Sequence, residues 1–106
     1  MSGRKFYDVS VNYKDKSGKF KRDKELDQIA DKHRAVSTAS GSMGDSRDVH
    51  YENIFPQHVA KFVGELKNKK FNTTAIREKK LDPEGEEIEG SHREIKEHQL
   101  PHWKEK

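Results

Sequence analysis

The chain has 106 residues, 29% hydrophobic and 39% charged, with a formal net charge of +3, a length that suits one small domain. It contains no cysteine, which excludes a disulfide framework and any thiolate metal site. No apolar run approaches the length of a membrane span. The opening MSGRKFYDV enters an alternating pattern rather than a signal-peptide core, so a cytoplasmic protein is expected.

In KFYDVSVNY, residues 5–13, Tyr7, Val9, Val11 and Tyr13 alternate with Asp8, Ser10 and Asn12. That period of two predicts a half-buried strand. A basic turn around Ser17 and Gly18 follows. The first helix is expected to be capped by Asp23, with Leu26, Ile29, Ala30 and His33 forming a narrow buried stripe. His33 on that stripe is read as a packed, hydrogen-bonded residue rather than a catalyst.

Residues 34–40 form a weaker candidate strand and 47–53 a better one. The glycine-bearing segment between them reads as a hairpin loop. A phosphate-cradling loop would instead lead directly into a helix. The second helix carries Val59, Phe62, Val63 and Leu66 on one face, with Pro56 at its first position and Ile54 packing on Val59. FNTTAIREKK, residues 71–80, then reads as a strand rich in β-branched residues. The order strand, helix, strand, strand, helix, strand predicts an α+β fold, the ferredoxin-like βαββαβ arrangement. Its four-stranded antiparallel sheet would carry two helices on one face.

Of 20 Leu, Ile, Val and Phe residues, 17 lie at or before Leu81, so residues 4–81 read as the domain and 82–106 as a tail. Ser91 with Glu94 resembles a capping box, giving either a short helix over 92–99 or disorder. Up to Leu81 there are 18 Lys/Arg against 11 Asp/Glu; beyond it the counts are 4 and 8. A basic body with an acidic tail fits a binder of polyanions whose tail moderates binding. Its expected contacts are Lys14, Lys16, Lys19, Lys21 and Arg22 in the turn, with Lys67, Lys69 and Lys70 ending the second helix. Nucleic acid or an acidic protein would be the partner, no cofactor is implied, and the expected role is non-enzymatic. The competing reading is a protein–protein inhibitor or adaptor acting through a sheet edge or the tail.

Three resemblances bear on function. Phe6, Tyr7, His50 and Tyr51 on the first and third strands resemble the base-stacking aromatics of RNA-recognition domains. RDVHYENI lacks the glycine and first aromatic of their third-strand motif. The alternation also leaves Asp8, Asp48 and Glu52 on the open face, where carboxylates repel phosphate. YDVS, residues 7–10, is similar to the first-strand end of small ferredoxin-like CRISPR-associated nucleases, which implies Asp8 as a metal ligand. Asp8, Asp48, His50 and Glu52 are the candidate metal set for that third reading, a metal-dependent nuclease. The long apolar run before the aspartate and the later Ser-Val-Phe strand of those nucleases are missing. The Ser/Gly hairpin, the RDVHYE strand and the Lys-ended helix over 40–67 resemble small uncharacterised phage and bacterial ferredoxin-like proteins. That likeness implies an accessory binding role.

Overall fold

A computed structural model describes residues 3–17 and 19–103; Gly18 of the basic turn and the last three tail residues lie outside them. Among the described residues the order is β1 (Arg4–Lys14), α1 (Asp23–Lys32), β2 (Val36–Met43), β3 (Ser46–Ile54), α2 (Pro56–Asn68), β4 (Asn72–Leu81) and β5 (Arg93–Ile95), followed by a single 3₁₀ turn, Glu97–Gln99. The fold is α+β. Its antiparallel sheet has five strands in the order β2-β3-β1-β4-β5.

β1 forms as its alternation demands. Tyr7, Val9, Val11 and Tyr13 are buried, each at most 4% exposed. They share one core with Val49, Tyr51 and Ile54 of β3 and the α2 stripe Val59, Phe62, Val63 and Leu66. Tyr51 meets Phe62 edge-on at 5.2 Å, a geometry favoured by the ring quadrupoles. The thinner stripe of α1 buries Leu26, Ile29 and Ala30. His33 just beyond α1 donates its Nε2–H to the carboxylate of Glu65 of α2 at 2.9 Å, with Lys32 at 3.1 Å from the same carboxylate. This cluster clamps the two helices together.

Four features differ from the sequence expectation. Asp23 is the first helical residue and not the cap; Arg22 holds the cap position without a side-chain cap bond. The carboxylate of Asp23 instead accepts from the Tyr13 hydroxyl and from Arg47 at 3.1 Å. The Ser/Gly segment 40–43 is strand, because β2 stays in register with β3 as far as Met43↔Ser46. Only Gly44 and Asp45 form the turn, with Gly44 at φ +61°, the left-handed conformation that a two-residue hairpin turn assigns to glycine. Four expected strands become five because Arg93–Ile95 adds to the outer edge of β4. Over 91–94 the capping-box pattern opens no helix. The Ser91 hydroxyl donates to the Ile88 carbonyl at 2.6 Å, while Ile95 and Leu100 bury against the core.

The fifth strand is fixed by charge as well as by burial. Glu78 of β4, 7% exposed, accepts from the Tyr7 hydroxyl at 3.1 Å and from Arg93 Nε at 3.0 Å. Burial pushes the Glu78 carboxyl up, but Arg93, Tyr7 and Lys5 outweigh it and hold the group below its ordinary 4.5. The native state therefore gains stability from ionised Glu78 above about pH 4.5 and loses it as pH falls through the lowered native value. Glu78→Gln is expected to flatten the acid limb of a stability–pH profile measured by urea unfolding. Ile95→Ala is expected to cost about 2–5 kcal/mol in the same assay. A change within about 0.5 kcal/mol, as for surface positions, contradicts a structural role for the segment.

Candidate anion-binding end

The register of β1 gathers three connections at one end of the sheet. Lys14 lies opposite Ser46 at the start of β3, and Asn12 lies opposite Asn72 at the start of β4. Loop 15–22, the β2–β3 turn and the α2–β4 connection therefore emerge side by side. Asp15 organises the loop: its carboxylate accepts from the Ser17 backbone N–H at 2.9 Å, the Ser17 hydroxyl at 2.6 Å and the Lys21 N–H at 3.3 Å. These bonds, the Ser17 hydroxyl first, hold the Asp15 carboxyl below its usual range. The Asp15 N–H donates to the Asp45 carbonyl at 2.7 Å, tying the loop to the hairpin turn. Tyr13 donates to the Phe20 carbonyl at 3.2 Å. Burial, reinforced by Asp23, raises the Tyr13 hydroxyl well above its ordinary value, so it stays a donor.

Arg22 joins the loop to the end of α2. Its guanidinium donates to the Lys69 carbonyl at 2.5 Å and to Glu25 at 2.9 and 3.1 Å. The same group lies 4.0 Å above the Phe71 ring, where planar stacking and the ring quadrupole both favour arginine. Both expected cationic segments thus share one end. Lys14, Lys16, Lys19, Lys21, Lys69 and Lys70 are exposed, and among the described residues none has a carboxylate within ion-pair distance. The other two expected contacts are engaged: Arg22 as above, and Lys67 with Glu97 at 2.7 Å. Asp15-Lys16-Ser17 is a turn signature that could have marked the loop as built rather than loose.

The open face of the sheet differs from its expected acidic character. Lys79 of β4 lies 3.0 Å from Asp8 and 3.5 Å from Glu52, its side chain 6% exposed. Asp8 also accepts the Asn53 N–H at 3.1 Å, Glu52 accepts from Thr38 at 2.7 Å, and Asp48 accepts from Asn12 at 2.7 Å. The Thr38 bond, with help from Lys79, lowers the Glu52 carboxyl. His50 Nδ1 is 2.8 Å from the Ser10 hydroxyl. Each of the four metal candidates is thus engaged by protein groups, and an ammonium occupies the space between Asp8 and Glu52. Among the described residues no group of three or more His, Asp or Glu side chains is arranged to hold a metal.

The aromatic set divides as well. Tyr7 and Tyr51 are core residues, Phe6 lies 5.4 Å from Phe55, and His50 is exposed. The sequence reading missed Lys79. The alternation of Ile76 with Arg77 and Lys79 could have assigned it to this face. Comparison with protein-family models, with curated proteins and with solved structures finds no match to the chain. No helix among the described residues is long and apolar enough to cross a membrane.

Removing one partner of a buried ion pair leaves the others uncompensated. Lys79→Ala is expected to destabilise by about 3 kcal/mol. The double variant Asp8→Asn/Lys79→Met is expected to recover most of that loss. Urea denaturation checks both.

Proposed function

We propose that this chain is a cytoplasmic, non-enzymatic module that binds the phosphate backbone of nucleic acid through its cationic end. The observation carrying this reading is the attachment of Arg22 to the Lys69 carbonyl and the Phe71 ring, which sets the lysines of loop 15–22 beside those ending α2. Six exposed lysines outnumber the carboxylates of Asp15 and Asp45 at this end, and such an excess of like charge raises the local potential and is relieved by a polyanion. Duplex nucleic acid fits best, because its charge density of one phosphate per about 1.7 Å exceeds that of an acidic protein surface. The engagement of Lys67 by Glu97 supports a moderating role for the acidic segment after Leu81.

The first six elements, with β1 between β3 and β4, are consistent with a ferredoxin-like unit extended by β5. With helices on one face and Lys79 paired to Asp8 and Glu52 on the other, the loop end is where exposed, unpaired lysines cluster among the described residues. Binding there would be sequence-tolerant, since lysines contact phosphates and carry no base code.

Fluorescence anisotropy with a short DNA duplex over a salt series tests the reading. Affinity is expected to fall linearly on a log–log plot, with each engaged phosphate contributing about 0.9 to the slope. Lys16→Ala, Lys19→Ala, Lys69→Ala and Lys70→Ala are each expected to reduce that slope by up to about 0.9. No binding at low salt, or an unchanged slope in the combined variant, overturns the proposal.

A further inference from the structure

The outer edge of β2 is the least protected part of the sheet. Val36–Met43 is exposed along its whole length, pairs only with β3, and contains neither a charged residue nor a proline. Edge strands are ordinarily blunted by such residues. Here the only irregularity is a shift of register between Ser37 and Ala39.

We infer that β2 pairs antiparallel with β2 of a second copy of this chain, in the register that sets Val36 opposite Met43 of the other copy. Three observations select that partner and register. Val36 and Met43, 67% and 83% exposed, are two of the three large exposed hydrophobics among the described residues. The bulge makes them compatible: Val36 pairs with Glu52 and Met43 with Ser46, so both lie on the open face despite their odd separation. Direct cross-strand neighbours must share a face, and without the shift they would not. The same register sets Thr38 at the bulge opposite Gly41, whose absent Cβ faces open space.

Charge is complementary at both ends. Arg34 precedes the strand and Asp45 follows it, both exposed and neither ion-paired among the described residues. Antiparallel self-pairing brings Arg34 of each copy towards Asp45 of the other. Eight residues per strand supply up to about eight inter-chain hydrogen bonds. The two-fold axis runs perpendicular to the sheet, so the helices of both copies lie on one face of a continuous ten-stranded sheet. The two cationic ends point in opposite directions. The inference does not depend on what those ends bind.

Sedimentation equilibrium of the full chain is expected to show a reversible doubling of the 12.3 kDa mass with rising concentration. Ser40→Lys, with like charges near the two-fold axis, is expected to raise the dissociation constant about tenfold while far-ultraviolet circular dichroism stays unchanged. Arg34→Glu weakens association, and adding Asp45→Arg restores it. A mixture of labelled and unlabelled wild-type chains is expected to give intermolecular nuclear Overhauser effects between the Val36 and Met43 methyl groups. A monomeric mass at about 1 mM, absence of that methyl contact, an unaffected Ser40→Lys dimer, or no recovery in the charge swap overturns the inference.

Discussion

The double pairing of β1 is the constraint on which the structure depends. β1 is hydrogen-bonded to β3 on one side and β4 on the other, so neither the face nor the end of any neighbour is free to vary. A slip of one residue would exchange Val9 and Val11 for Asp8 and Ser10 beneath α2, reversing every side chain of the strand. The local irregularities respect that requirement. Bulges between Tyr7 and Val9 on the β3 side and between Ser10 and Val11 on the β4 side take up single residues without inverting the buried set. Once the register is set, the segments after β1, between β2 and β3 and before β4 must converge. The cationic end is therefore a consequence of strand pairing.

The molecule handles charge in two ways. Where charges leave water they are compensated internally: Lys79 by Asp8 and Glu52, Glu78 by Arg93 and Tyr7, and Glu65 by His33 and Lys32. Glu78 and Glu65 each accept more than one hydrogen bond and Lys79 lies between two carboxylates, the condition under which a partly buried charge is tolerated. At the loop end, the carboxylates of Asp15 and Asp23 are consumed by the backbone, Ser17, Tyr13 and Arg47. Among the described residues no carboxylate lies within ion-pair distance of Lys14, Lys16, Lys19, Lys21, Lys69 or Lys70, and these six outnumber Asp15 and Asp45 beside them. A chain of net charge only +3 can thus present a locally concentrated positive surface.

The elements with strong periodicity were legible in the sequence. The alternation of β1 and the Val59-Phe62-Val63-Leu66 stripe appear where their spacing predicts, and His33 is packed and hydrogen-bonded as expected. The misreadings share one cause: local signals competed with tertiary partners. Asp23 has the chemistry of a cap, but Tyr13 and Arg47 claim its carboxylate. Ser40–Met43 has loop composition, yet β3 offers a full ladder of backbone partners. Ser91 and Glu94 match a helix start, while Ile95 gains more by burial beside Ile76. A three-residue strand is too short to show a period, so β5 had no sequence signal of its own. The cationic residues were legible as a list. Their meeting at one end was not, because it requires Arg22 to reach Lys69, 47 positions away.

Backbone amide chemical-shift mapping during titration with a DNA duplex tests the central claim most directly, because it reports which end of the strand register meets the ligand. Perturbations concentrated at Lys14, Lys16, Lys19, Lys21, Lys69 and Lys70 are predicted, with Asp8, Ser10 and His50 unmoved. Shifts centred on the open sheet face, or none across the cationic end, would contradict it.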